Sequence, residues 1–107
     1  MNKFHAKRTF SNLVGIWFSS KGECEYGEGL YLREKTGEIS NLHFHTRFML
    51  SKTPRCSIEV DFIYREDGKV VYEDFKGRMM PDYRVKRLWL KEQQNIDIVL
   101  IKSPLQG

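Results

Sequence analysis

The sequence predicts a single α/β domain in the order helix, three strands, helix, strand. Three observations carry this: helical spacing behind a capping sequence at Ser20, alternating runs broken by Asp67-Gly68, and a helical stripe after Pro81 that leads into a short apolar run. Separate hydrophobic cores need roughly 100 residues apiece, so a chain of 107 residues excludes two domains and leaves little area for a large cofactor fold. Hydrophobic residues make up 40% and charged residues 30%, enough apolar surface to offset chain entropy, which excludes a disordered chain.

The apolar cluster Leu13, Val14, Ile16, Trp17 and Phe18 reads as a short strand or packed lead-in, ended by Ser19 and Ser20. Ser20 followed by Glu23 has the form of a capping box, and Tyr26, Leu30 and Glu34 continue at helical spacing, predicting a helix over Lys21 to Glu34. Gly22, Gly27 and Gly29 lie inside it, and each costs about 1 kcal/mol relative to Ala, so packing must hold this helix. Gly37 closes its turn.

From Ile39 to Leu50 period-two alternation places Leu42, Phe44, Thr46, Phe48 and Leu50 on one strand face and His43, His45 and Arg47 on the other. Ser51 to Arg55, with Pro54, reads as a turn. Ser57 to Tyr64 and Lys69 to Lys76 flank Asp67-Gly68 and read as an antiparallel hairpin. Gly77 ends that strand, and Pro81 and Asp82 open a second helix whose apolar stripe is Val85, Leu88 and Trp89. Asn95 to Ile101 is a final strand, apolar enough that both of its faces are expected to be covered.

Lys plus Arg number 18 against 14 Asp plus Glu, a net charge of +4, which suits a polyanionic partner, nucleic acid first. The two cysteines, Cys24 and Cys56, are too few for a disulfide framework and read as free thiols in a reducing cytoplasm. No apolar run approaches the ~20 residues of a membrane span and no export signal follows the basic N-terminus, so a soluble, cytoplasmic chain is expected.

The chemistry concentrates on the hairpin. Alternation puts Ile58, Val60, Phe62 and Tyr64 on one face of the first strand, with Glu59, Asp61 and Ile63 opposite. In the second, Tyr72, Asp74 and Lys76 share one face and Val71, Glu73 and Phe75 the other, with Asp74 and Lys76 about 7 Å apart. If the faces of Asp61 and Asp74 coincide, two carboxylates meet beside an ammonium, and a hard divalent cation relieves their repulsion. A plainer account stands beside this one: Asp74 and Lys76 as a solvated pair worth under about 1 kcal/mol, and Glu23 as a capping residue. Spacing alone leads only as far as a basic α/β domain.

Taken in order, Glu23 in the first helix, Asp61 in the second strand and Asp74-Phe75-Lys76 at the end of the third resemble the PD-(D/E)xK nuclease superfamily. Ser20-Lys21-Gly22-Glu23, Val60-Asp61-Phe62-Ile63-Tyr64, Glu73-Asp74-Phe75-Lys76-Gly77 and the opening Asn2-Lys3-Phe4-His5-Ala6-Lys7 are similar to a small group of phage-encoded proteins assigned to it. The resemblance covers nearly the whole chain. It implies a restriction-endonuclease-like domain with an αβββαβ core, a mixed sheet flanked by helices.

It also implies that Asp61, Asp74 and the Phe75 carbonyl hold one Mg²⁺ or Mn²⁺, that Glu23 reaches it directly or through water, and that Lys76 orients the attacking water or stabilises the transition-state charge. Glu25 replaces Glu23 only if the helix register slips. Val60 stands where the superfamily pattern has Pro, a departure at a structural position. Arg78, Arg84, Lys86, Arg87 and Lys91 are the cations placed to neutralise phosphates of a DNA partner, and a homodimer is a further expectation.

Other residues carry less. His43 and His45 lack a third ligand for zinc, although His45 falls near the edge of the site. Cys24 has no histidine placed to activate it, and Trp17 and Trp89 read as core rather than as base-stacking platforms. Two functions of different class follow: a metal-dependent DNA endonuclease of the junction-resolvase kind acting on branched or recombining DNA, or a nucleic-acid-binding protein that keeps the fold without cleavage.

Overall fold

The computed structural model describes residues 7–76 and 79–102. A small antiparallel pair, β1 (Thr9–Phe10) and β2 (Trp17–Phe18), precedes helix α1 (Lys21–Lys35); then come β3 (Ser40–Lys52), β4 (Arg55–Glu66), β5 (Lys69–Lys76), helix α2 (Pro81–Gln94) and β6 (Ile98–Lys102). The main sheet has the order β3-β4-β5-β6, antiparallel through β5 and parallel between β5 and β6. The helix, three strands, helix, strand order expected from the sequence is therefore present, with the β1–β2 pair in addition.

Local chemistry fixes the elements. Ser20 caps α1 by accepting the Glu23 N–H at 3.1 Å. The β4–β5 turn has Asp67 at φ 53° and Gly68 at φ 77°, the left-handed pair that a two-residue hairpin with matching twist demands. Gly27 sits where a Cβ would lie 2.9 Å from the Phe18 ring and 3.1 Å from the Phe62 ring, so only glycine lets α1 approach the sheet this closely.

The core has two parts on opposite sheet faces. Phe18, Cys24, Leu30, Ile39, Phe62 and Tyr64 pack on the α1 side, while Leu50, Ile58, Val60, Leu90, Ile96 and Ile98 pack on the α2 side. Strict alternation had placed Val60 with Phe62, and Phe44 with Phe48. Instead Val60 and Phe48 belong to the α2 side and Phe62 and Phe44 to the α1 side. The cause is local: His45 adopts φ 53°, and both β3 and β4 exchange faces at the level of His45 and Asp61, which the register Phe44↔Phe62 and Thr46↔Val60 sets across from each other.

Three further expectations are corrected. Val85 and Leu88 of α2 face solvent at 61% and 63% exposure, and the helix buries Leu90 instead. Its rotation is set by Tyr83, whose hydroxyl donates to Asp74, and by Arg87, which donates to the Ile98 carbonyl at 2.8 Å. β6 is an edge strand with Ile98 buried but Val99 half-exposed, so only one face is covered at that position. Neither tryptophan is in the core: Trp17 and Trp89 are both exposed. Cys24 is buried, as packing required. Among the described residues no helix is long and apolar enough to cross a membrane.

Candidate metal centre

Pairing between β4 and β5 runs from Glu66↔Lys69 as far as Phe62↔Glu73, and beyond that pair side-chain carboxylates replace the ladder. The Asp61 N–H donates to Asp74 Oδ1 at 2.7 Å, and the Phe75 N–H donates to Asp61 Oδ2 at 2.9 Å. Tyr83, in the first turn of α2, donates its hydroxyl to the other Asp74 oxygen. Asp74 is fully buried and both of its oxygens are engaged, so its position is fixed from two sides.

Glu23 reaches this fork from α1. Its carboxylate does not fold back to complete a capping box; one oxygen accepts from the Ser19 hydroxyl and the other lies 2.8 Å from His45 Nε2. At 2% exposure Glu23 is an interior acid, and its pairing with His45 explains how the fold tolerates it. Ligand atoms of Glu23, His45 and Asp61 all lie within 4.8 Å of one another.

The electrostatics follow from burial. Burial, then the charges of Glu23 and Asp74, push the Asp61 carboxyl up to about 7, against the Phe75 N–H and Lys76, which favour its ionised form. His45 is shifted upward, chiefly by its hydrogen bond to Glu23, with burial opposing. The donor set fits a divalent cation: two carboxylates and an imidazole, with ligand atoms all within 4.8 Å of one another.

Glu73, next to Asp74, faces the other way. It accepts the Tyr26 hydroxyl at 2.7 Å and the Tyr64 hydroxyl at 2.9 Å, and burial together with this bonding pushes the Tyr64 hydroxyl up to about 12. Glu73 thus ties α1 to the sheet, and alternation along β5 leaves Asp74 for the site.

A groove of about 210 Å³ opens beside Asp61 and Lys76. Arg47, Lys76 and Lys86 line it as cations, against Asp61, Glu59 and Asp82. The Lys76 ammonium stands 4.3 Å from the centre of the Tyr83 ring, which orients it at the groove wall.

A family model described as a protein of unknown function, DUF1064, matches residues 1–104. The chain belongs to the DUF1064 family. No curated protein and no solved structure matches it.

In this DUF1064 chain Glu23, Asp61, Asp74 and Lys76 converge from α1, β4 and β5. Phe75 contributes its N–H to Asp61. Glu25 is exposed and takes no part in the cluster. Of the cations expected to meet phosphates, Lys86 lines the groove, Arg87 is turned to the Ile98 carbonyl, Lys91 lies 3.8 Å from Asp97, and Arg84 is exposed outside the groove. Arg78 lies outside the described residues.

Sequence reasoning missed three contributors. His45 is at the centre of the cluster rather than its edge, and the signal that would reveal it, a left-handed backbone in mid-strand, is invisible to alternation. Tyr83 follows the Pro81 helix start at the position where a first-turn side chain can return to β5. Arg47 had been assigned only to a strand face, and it reaches the groove while donating to the Ser57 hydroxyl at 3.0 Å.

Proposed function

We propose that the chain is a divalent-metal-dependent DNA endonuclease built on a PD-(D/E)xK core. The observation that carries the reading is the convergence of Glu23, Asp61 and Asp74 where β4 and β5 part, with Lys76 on the same groove as Asp61. The αβββαβ order and the mixed sheet support the same assignment.

Glu23, His45 and Asp61 are the residues that would hold the cation, with Asp74 adjacent. Once bound, Mg²⁺ or Mn²⁺ supplies Lewis-acid polarisation of a phosphodiester oxygen and a more acidic water. The protein's own groups do the rest. Asp74 holds the Asp61 backbone, Tyr83 holds Asp74, and the Lys76 ammonium stabilises negative charge developing on the phosphate or orients the attacking water. Arg47 and Lys86, which line the same groove, neutralise neighbouring phosphates.

The test is incubation of supercoiled plasmid and of a four-way DNA junction with the protein in EDTA, Mg²⁺ or Mn²⁺. Metal-dependent cleavage that disappears in Lys76→Ala while DNA binding persists is the expected result, and faster cutting of the junction identifies a branched substrate. Binding without cleavage under every metal condition replaces the enzyme with a nucleic-acid-binding module. Absence of binding overturns both.

A further inference from the structure

The β1–β2 pair carries aromatic side chains that the core does not use. Trp17 is 51% exposed and Phe10 44% exposed, whereas Phe18, the next residue after Trp17, is 1% exposed. In so short a pair successive side chains point to opposite sides, so Phe18 turns inward and Trp17 outward, with Phe10 directly across from it. The Phe10 and Trp17 rings meet edge-on with centroids 5.4 Å apart, and the Arg8 guanidinium lies 4.9 Å from the centre of the Trp17 ring.

The pair is also wired to the metal centre. Phe18 packs against the His45 ring at 5.5 Å, and Ser19 donates to Glu23. Trp17 is thus one residue from a side chain that backs His45 and two from one that bonds Glu23. Arg8 and Lys7, both exposed, are in no ion pair among the described residues, so the cation at the Trp17 ring has no acid answering it. Thr9 Oγ1 donates to the Lys7 carbonyl at 3.0 Å and orders the backbone that presents Arg8.

The geometry points to a stacking platform in which Trp17 and Phe10 receive an unpaired nucleobase and Arg8 the adjoining phosphate, on the outward side of the strand whose inward side chain, Phe18, backs His45. The inference rests on the nuclease reading and adds to it a preference for DNA with exposed bases. Flat aromatic faces accept any base by stacking, and an arginine beside them supplies both charge and a second planar surface. Duplex bases are already stacked on one another and gain nothing from the platform. The other role open to the rings is a clasp that holds β1 to β2, and the experiment separates the two.

The chain has two tryptophans, so Trp89→Phe leaves Trp17 as the sole indole fluorophore. This variant is titrated in EDTA with a short oligothymidylate strand and with a blunt duplex of equal length. The expected result is strong quenching of Trp17 emission by the single strand and little by the duplex. Trp17→Ala should weaken single-strand binding by about 5- to 100-fold and leave duplex binding within about twofold, given the usual contribution of one stacked base. Single-strand binding with Trp17 emission unchanged overturns the platform and leaves the nuclease reading standing, as does an equal loss for strand and duplex, the mark of a clasp only. Failure to bind either DNA overturns the nucleic-acid reading and the platform with it.

Discussion

Asp61 and Asp74 replace the β4–β5 ladder with each other: the Asp61 N–H donates to an Asp74 oxygen at 2.7 Å, while Asp61 itself takes the Phe75 N–H at 2.9 Å. Two acids that would repel across open strands are thereby held by backbone donors at a fork in the sheet. The same exchange keeps the fork open, because each strand's donor is spent on a side chain. Fold and site are coupled here, and variants at these positions report on both.

Asp74→Ala should abolish metal-dependent cleavage and leave DNA binding within about threefold, since the groove cations are elsewhere. It strands the buried Asp61 N–H and the Tyr83 hydroxyl without partners, and destabilisation of about 2–4 kcal/mol is expected. Tyr83→Phe removes one bond and should cost only about 1–2 kcal/mol, with cleavage reduced but present. Denaturant unfolding beside plasmid cleavage checks both, and wild-type cleavage by Asp74→Ala would remove Asp74 from the site.

Stability of the metal-free protein should fall as pH rises from about 4 to 8. Asp61 titrates near 7 when folded against the usual 3.8 when unfolded, so between these values the unfolded chain releases a proton that the folded chain keeps. Each pH unit in that window removes up to about 1.4 kcal/mol, with no contribution below it and a constant penalty above. His45 acts in the same sense: its raised folded value gives stability that is fully present below 6.5 and is lost as pH rises from there through the folded value. Asp61→Asn should flatten the decline and melt higher than wild type at pH 8 without metal. Mn²⁺ or Mg²⁺ at ten times its dissociation constant should raise the wild-type Tm by about 5–10 °C, and the variant's not at all. Calorimetry across pH, with EDTA and with metal, gives both answers.

Much of this was legible in the sequence because short-range rules govern it. Ser20, Asp67-Gly68 and Pro81 mark element boundaries through capping and turn geometry, and all three lie where those rules place them. What alternation could not carry was the face exchange at His45, where one residue with positive φ resets the side chains beyond it, and the matching exchange across from it at Asp61. Nor could the composition of α2 reveal its rotation, which Tyr83 and Arg87 set through partners distant in sequence. The apolar stripe Val85, Leu88 and Trp89 followed the helical period faithfully and still faces outward.

His45→Asn separates the imidazole from the backbone it sits on. Asparagine tolerates the left-handed conformation at φ 53°, so the variant should fold, while a nitrogen donor is lost from the cluster. Imidazole suits Zn²⁺ and Ni²⁺, whereas Mg²⁺ and Mn²⁺ prefer oxygen ligands, so Zn²⁺ affinity should drop about tenfold or more and Mg²⁺ affinity by less than about threefold. Isothermal titration with each ion decides it, and an unchanged Zn²⁺ affinity would place His45 outside the ligand set.

Two glycines of α1 should behave oppositely. Gly29 has nothing within 4 Å of an added Cβ, so Gly29→Ala should stabilise the protein by about 0.5–1 kcal/mol through helix propensity. Gly27→Ala drives a Cβ to 2.9 Å from Phe18, a ring packed between α1 and His45, and overpacking of about 1–3 kcal/mol should exceed that gain. Because the displaced helix carries Glu23, Gly27→Ala should also weaken Mn²⁺ binding, and Gly29→Ala should not. Denaturant midpoints and metal titration of the pair check this.

Salt dependence reads how many cations face phosphate. Five basic residues were candidates from sequence, but Arg87 is occupied with the Ile98 carbonyl, Lys91 stands near Asp97 and Arg84 is exposed outside the groove. Arg47, Lys76 and Lys86 line the groove, Arg47 standing 3.5 Å from Glu59, an exposed pair with which phosphate competes. About three phosphate contacts correspond to a slope of roughly −2.7 in log affinity against log salt for duplex DNA, at about −0.9 per contact. Lys86→Ala should therefore reduce the slope by about 0.9, while Arg84→Ala leaves it unchanged. Duplex binding measured in EDTA across a salt series separates the two, and a slope that answers to Arg84 but not to Lys86 would move the DNA path from the groove to the outer face of α2.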